Sequence, residues 1–155
     1  MTRLQPGQPA PEIRLLDQDQ NAFQLSSLRG RTVLIYFYPK ADTPGCTTQS
    51  RALQDALPEL EARGVTVVGI SPDEPEKLRA FADKYGLTFR LLSDPDHEVA
   101  EQWGTWGEKK MYGRSYMGII RSMFLVDPEG NLQGVWYKIS PKKTVPTALK
   151  ALDQS

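Results

Sequence analysis

The sequence predicts an α/β fold, a three-layer sandwich on a mixed central sheet with a hairpin at its N-terminal end. Three observations predict it. Residues 33–38 are a continuous apolar run rich in β-branched and aromatic side chains, the pattern of a strand covered on both faces, and residues 65–70 read as a second buried strand. Segments with helical spacing follow both, so strands and helices alternate as in parallel βαβ units. Near the end, residues 119–126 and 132–137 read as strands joined by Asp127-Pro128-Glu129-Gly130, whose turn chemistry makes them an antiparallel pair.

The elements follow in order. Residues 12–16 and 22–25 flank the polar run Asp17-Gln18-Asp19-Gln20-Asn21 and form the first hairpin. The strand at 33–38 ends at Pro39. Thr43 is a suitable N-cap and Pro44 a suitable first helical residue, and the helix they open runs to Arg63-Gly64. Leu53, Leu57 and Leu60 form its apolar face, and Pro58 is expected to kink or divide it. Residues 73–86 make a second helix, with Leu78, Phe81 and Tyr85 on one side and Gly86 as its stop. A short strand at 89–92 follows, then a short helix opened by Asp94-Pro95 and ending near Gly104. Residues 144–152 close the chain as a helix with Val145, Leu149 and Leu152 inward.

The chain has 155 residues, 19 basic and 19 acidic side chains, one histidine and one cysteine. This length suits a single domain spanning 1–155, burying about 70% of the unfolded chain's surface. A net charge of zero argues against nucleic acid or an anionic membrane as a partner held by bulk charge. The N-terminal stretch, broken by Pro6, Pro9 and Pro11, carries no secretory apolar core, and the longest apolar run is too short to span a bilayer. A cytoplasmic location is expected. One histidine and one cysteine cannot build a zinc cluster, and neither a phosphate loop nor a dinucleotide fingerprint is present, so no cofactor is expected.

Cys46 is the residue whose context points to chemistry. Taken alone, a single cysteine reads as a small buried hydrophobe. With Thr43 as N-cap it becomes the third residue of a helix, near free backbone N–H groups and the positive end of the macrodipole, both of which favour a thiolate. Gly45 leaves the sulfur's surroundings open. The site follows the carboxyl end of a central strand, where open α/β sheets bind ligands. Thr43 has two compatible roles: a cap, and a hydroxyl within reach of the sulfur or of an oxygen bound beside it. Arg121, at the entrance of an apolar strand, is either one half of a surface ion pair or the counter-charge of a thiolate; a guanidinium stays charged across the working pH range. His97 reads as a solvated structural residue. Trp103, Trp106, Met111, Tyr112, Tyr116 and Met117, with Lys109, Lys110 and Arg114, make an aromatic and basic loop region: ordinary packing, or a rim or docking surface near the site.

The element order is that of a thioredoxin-like fold. Pro39-Lys40-Ala41-Asp42-Thr43-Pro44-Gly45-Cys46 matches the Pro-x-x-x-Thr-x-x-Cys motif of the peroxiredoxins, here between an apolar strand and a helix. Tyr36 to Lys40, Gly69-Ile70-Ser71, Leu92-Ser93-Asp94 and Gly118 to Ser122 resemble the bacterioferritin-comigratory, or peroxiredoxin Q, branch, and the likeness covers essentially the whole chain. The resemblance implies that Cys46 is the peroxidatic cysteine, that Thr43 and Arg121 activate it, that Pro39 shields it, and that Gln49 has a secondary role. It implies a hydroperoxide substrate, a sulfenic acid intermediate on Cys46 and no metal, haem or flavin.

The chain departs from the branch where many members carry a resolving cysteine. Arg51, Ala82 and Ala100 stand at the positions concerned, so an internal disulfide is excluded within this sequence. The expected cycle uses one cysteine and an external thiol: thioredoxin, glutaredoxin, glutathione or another small thiol. A monomer or weak dimer is expected, with a disulfide between the Cys46 residues of two chains as an alternative resting state. Arg51 is expected to hold the thiolate or attract an anionic thiol. Two other readings stand beside the peroxidase. A thiol–disulfide oxidoreductase would want Cys-x-x-Cys, but position 49 is Gln. A redox sensor, in which oxidation of Cys46 is itself the signal, fits the missing resolving cysteine.

Overall fold

The computed structural model describes residues 3–154. The chain runs β1 (Arg14–Asp17), β2 (Ala22–Gln24), a 3-10 turn (Leu25–Leu28), β3 (Thr32–Phe37), α1 (Pro44–Ala62), β4 (Val65–Ser71), α2 (Pro75–Tyr85), β5 (Arg90–Ser93) and α3 (Glu98–Gln102). It continues through β6 (Trp106–Met111), β7 (Arg114–Ile119), β8 (Ser122–Val126), β9 (Leu132–Tyr137), a 3-10 turn (Pro141–Lys143) and α4 (Thr144–Asp153). Seven strands form one sheet in the order β2-β1-β5-β4-β3-β8-β9, and β6 and β7 form a separate ribbon. β3, β4 and β5 are parallel neighbours, while β8 runs antiparallel to β3. This is the mixed, thioredoxin-like sheet the sequence predicts.

Strand alternation divides the core in two. Leu34, Tyr36 and Tyr38 face a cluster closed by α1, α2 and α4, whereas Val33, Ile35 and Phe37 face one closed by the N-terminal hairpin and α3. Leu53 and Leu60 of α1 are fully buried in the first cluster, where each is worth about 1.5–3 kcal/mol of transfer free energy. The parallel register sets Tyr36 beside Gly69, and a Cβ at Gly69 would lie 2.8 Å from the Tyr36 ring; only glycine lets β4 pass that side chain.

Four expectations need correction. Pro58 does not divide α1, which continues from Pro44 to Ala62; tertiary packing of Leu53, Leu57 and Leu60 outweighs the missing N–H. The 119–126 strand is two strands, β7 and β8, with Ile120 and Arg121 in the break between them. The short helix begins at Glu98 rather than at Asp94-Pro95: Asp94 acts from a distance, its carboxylate accepting the N–H groups of Val99 at 3.3 Å and Ala100 at 2.9 Å. The aromatic and basic loop region is largely the β6–β7 ribbon. Its two-residue turn, Tyr112-Gly113, has φ of 53° and 77°, as a type I′ turn requires. Tyr112 stands where asparagine is usual and hides the signal. Trp103 leaves this region for the core, where it is fully buried against Phe37 and Phe124.

Candidate active site around Cys46

The topology gathers the site at one end of the sheet. β3 ends at Phe37, whose antiparallel partner is Ser122, the first residue of β8. Arg121 therefore emerges beside the carboxyl end of β3, where Pro39 breaks the strand and the chain turns into α1. The β8–β9 ladder continues past its last pair, with Ile139 N–H donating to Arg121 C=O at 3.0 Å, so Lys138 and Ile139 arrive at the same end.

Cys46 is a free cysteine, 1% exposed, in the first turn of α1. Arg121 Nη1 donates to Cys46 Sγ at 3.4 Å and to Gln49 Oε1 at 2.8 Å. Gln49, fully buried one turn beyond the cysteine, donates through Nε2 to Thr144 Oγ1 at 2.9 Å, and Thr144 donates on to Ser140 C=O at 3.0 Å. The first turn of α4 thus helps to orient the guanidinium. The charged partner strengthens the Arg121–Gln49 bond, which fixes the arginine's position more firmly than the longer sulfur contact.

Thr43 occupies the N-cap position with extended backbone, but its hydroxyl makes no cap. It donates to Lys40 C=O at 2.7 Å instead. With its hydrogen committed there, the oxygen can only accept from whatever enters the site. Pro39 is half-buried just beyond the end of β3, and the Thr43 hydroxyl does not hydrogen-bond to the sulfur. The loop that carries both is tied at several points. Ala41 N–H donates to Asp73 Oδ2 at 2.7 Å, and Asp73 also accepts from Ser71 Oγ at 2.8 Å. Asp42, at φ 60°, accepts from Tyr85 Oη at 2.6 Å and Lys84 Nζ at 3.0 Å. Both partners hold the Asp42 carboxyl below its usual range.

Beneath the site, Tyr36 Oη and Ser50 Oγ share a hydrogen bond of 2.8 Å, and Tyr36 stacks on Tyr38 at 5.2 Å between centroids. Burial pushes both hydroxyls far above tyrosine's ordinary range. These rings form a buried floor that stays uncharged at neutral pH. Above it, Lys109 of β6 is half-buried, and burial together with the Arg121 charge pushes its ammonium below the usual lysine range, while Cys46 pulls it back up. Arg51 does not join this group. It is exposed, and five residues along α1 turn it about 140° from Cys46, so the expectation that it holds the thiolate is not met. His97 is the αL N-cap of α3, stacked on Trp106 at 3.8 Å and paired with Glu101, remote from the cysteine network.

Sequence reasoning missed Asp73 and Thr144, which carried only weak signals as helix-start residues; it named Lys109 within a region offered as a rim near the site, but as loop rather than as part of the β6–β7 ribbon.

No helix among the described residues is long and apolar enough to cross a membrane, and no cluster of His, Cys, Asp and Glu among them could hold a metal ion. Residues 6–135 match the AhpC/TSA family model. Peroxiredoxin Bcp of Escherichia coli strain K12 is 51% identical over 136 residues, covering 88% of this chain and 87% of that one. A putative peroxiredoxin bcp of Haemophilus influenzae is 53% identical over 142 residues, covering 92% of each. Among solved structures, Xanthomonas campestris Peroxiredoxin Q superposes with a TM-score of 0.86 at 34% identity, over 92% of this chain and 90% of that one. A mutant of Xylella fastidiosa PrxQ gives a TM-score of 0.92 at 28% identity, over 99% and 98% of the two chains. The chain belongs to the AhpC/TSA family, as a peroxiredoxin of the Bcp and peroxiredoxin Q kind.

Proposed function

We propose that this peroxiredoxin, a thiol-dependent peroxidase, reduces hydrogen peroxide and organic hydroperoxides through a sulfenic acid on Cys46 and returns to the thiol at the expense of an external thiol. The observation that carries this reading is the Arg121 guanidinium 3.4 Å from a cysteine sulfur in the first turn of a helix. A buried thiolate needs a fixed counter-charge, and Arg121 supplies one that does not titrate.

The thiolate attacks the nearer oxygen of the hydroperoxide. An S–O bond forms, the O–O bond breaks, and the departing oxygen takes a proton and leaves as water or an alcohol. Cys46 is oxidised to the sulfenic acid as the peroxide is reduced. Thr43 Oγ1, its hydrogen held by Lys40 C=O, accepts a hydrogen bond from the hydroperoxide O–H and aims its oxygens along the line of attack. Arg121 and the free N–H groups of the first turn meet the charge that develops on the departing oxygen. Stabilising the thiolate alone would not give speed, since nucleophilicity falls with basicity, so these donors must act on the peroxide as well. Pro39 limits access of water to the sulfur.

Cys46 is the chain's one cysteine, so electrons return from thioredoxin, glutaredoxin, glutathione or another small thiol. The reading carries a cytoplasmic location, where such thiols are kept reduced. The test is peroxide consumption with a thioredoxin system and with glutathione, for wild type and Cys46→Ser. Turnover abolished by the substitution is expected. A single stoichiometric burst without recycling by any thiol would favour the redox sensor instead.

A further inference from the structure

A pocket of about 650 Å³ opens beside Arg121. Glu108, Lys109 and Lys110 of β6, Arg121, and Lys138 and Ile139 beyond β9 line it. Four of these residues are cations and one is a carboxylate, in a chain whose formal net charge is zero. Among the described residues, none of the four cations lies within ion-pair distance of an acidic group. Lys109 is held in place by its stem, which crosses Gly118 so closely that a Cβ there would lie 3.2 Å from Lys109 Cδ. Burial and the like charge of Arg121 depress its ammonium, and the pull of Cys46 in the other direction does not offset them. Lys109 and Arg121 are half-buried and Lys110 and Lys138 exposed at the rim, and cations gathered in this way are stabilised by an anion entering between them.

We propose that this pocket binds the carboxylates of a low-molecular-weight thiol and presents its sulfur to oxidised Cys46. The inference rests on the peroxidase reading and names the reductant class. The chain has no second cysteine to resolve the sulfenic acid, so the reducing thiol must dock on its own. A cationic pocket adjoining the sulfur network holds such a molecule by its carboxylates, and the same cations raise the thiolate fraction of the incoming group. Its volume lies within the range of small-molecule sites. In the first step the thiolate attacks Cys46 sulfur, the S–O bond breaks, and hydroxide leaves as water with the thiol's proton. In the second, another thiol attacks the mixed disulfide, releasing the Cys46 thiol and a symmetrical disulfide. Two thiols are oxidised for each peroxide reduced.

The test has two arms. S-methylglutathione, which carries two carboxylates and cannot react, is titrated into wild type, Lys109→Gln, Lys138→Gln and the double variant, with its diester as control. Separately, protein oxidised with one equivalent of hydrogen peroxide is reduced by glutathione and by 2-mercaptoethanol at equal thiolate concentrations. Wild type is expected to bind the free acid in preference to the diester and to prefer glutathione about tenfold, each lysine substitution lowering that ratio about threefold, the double variant abolishing it and high salt eroding it. Equal binding of acid and diester, or a glutathione preference that survives the double substitution, would overturn the proposal. So would lysine variants that slow only oxidation by a carboxylate-bearing hydroperoxide. Failure of peroxide to form a sulfenic acid at Cys46 would instead refute the peroxidase reading, and the binding arm would still decide the pocket.

Discussion

Replacing Arg121 with methionine is the sharpest test of the site, because the side chain keeps an apolar stem and loses the charged guanidinium. At 3.4 Å, a guanidinium and a thiolate attract by about 5 kcal/mol at an effective dielectric of 20. That figure is a ceiling. Arg121 is partly solvated, which screens the pair, and an attraction present equally before and during the reaction does not accelerate it. What counts is the part that strengthens as charge moves to the departing oxygen. Deleting one such preorganised donor typically lowers a rate by about 10²–10³. The second-order rate constant for Cys46 oxidation by hydrogen peroxide, followed by stopped-flow fluorescence, is therefore expected to fall by that factor in Arg121→Met. Gln49 Oε1, buried and bonded to the guanidinium at 2.8 Å, loses its donor, so the urea midpoint should fall by the equivalent of about 1–3 kcal/mol. Arg121→Lys keeps a charge but not the fork, and belongs between the two. A folded methionine variant that oxidises within about threefold of the wild-type rate, a difference under 1 kcal/mol in barrier, would refute the role given to Arg121.

Gly45→Ala separates stability from activity. The new methyl group would meet Arg121 Nη2 at 3.0 Å and Pro141 Cγ at 3.5 Å, so the thermal midpoint should hold or rise by up to about 1 kcal/mol of helix propensity while the oxidation rate falls about tenfold or more. A parallel loss of both would show only a packing defect. Thr43→Val removes the acceptor and should slow oxidation about 10²-fold; Thr43→Ser should restore most of the rate, and neither should change stability much, because the hydroxyl does not cap. Equal rates for the two variants would remove Thr43 from the chemistry. Tyr36 and Tyr38 give a pH signature. Their folded values are raised and the unfolded value is near 10, so stability is whole below pH about 10 and falls above it by about 1.4 kcal/mol per pH unit for each residue. In urea midpoints measured from pH 9 to 11, Tyr38→Phe should remove about 1.4 kcal/mol per pH unit of the loss above about pH 10, leaving the shares of Tyr36 and of half-buried Tyr137, whose hydroxyl burial also raises. The cost should be little, since Ser71 is committed to Asp73 and the Tyr38 hydroxyl closes no hydrogen bond; an unchanged slope would contradict this origin.

The parts legible in the sequence were those encoded by local pattern. Apolar runs place β3 and β4, Gly86 at φ 66° stops α2, and the Thr-x-x-Cys spacing puts Cys46 in the first turn of α1. What pattern could not reach depended on register or on competition between partners. Arg121 reads as the first residue of a strand, but it lies in the break between β7 and β8, with its backbone still held by Ile139, and the Phe37–Ser122 pairing brings its side chain to the sulfur. Thr43 looks like a capping hydroxyl, yet Lys40 C=O, presented by a loop anchored through Asp42 and Asp73, takes its proton. Arg51 looked close to Cys46 along the chain and is on another side of the helix. The β6–β7 ribbon went unseen because its strands are largely exposed and polar, so alternation carried little signal there.

The placement of the Arg121 nitrogens explains how one side chain can serve two stages of the reaction. Nη1 is engaged below, with Gln49 at 2.8 Å and Cys46 sulfur at 3.4 Å. The shorter bond, to a residue fixed by Thr144, sets the plane of the guanidinium. Nη2 has no protein acceptor among the described residues and lies over Gly45, where the missing side chain leaves room within 3.0 Å of it. A peroxide seated above Gly45 would have its attacked oxygen near the sulfur and its departing oxygen near Nη2. As the S–O bond forms, sulfur loses charge and its long contact with Nη1 weakens, while the departing oxygen gains charge beside a donor already in place. The cation need not move, because the negative charge moves across it. On the proposed mechanism, within a chain of zero net charge, the hydrogen bonds from Arg121 to Gln49 and on to Thr144 would hold the arginine so that neither half of the transfer waits for it to reorient.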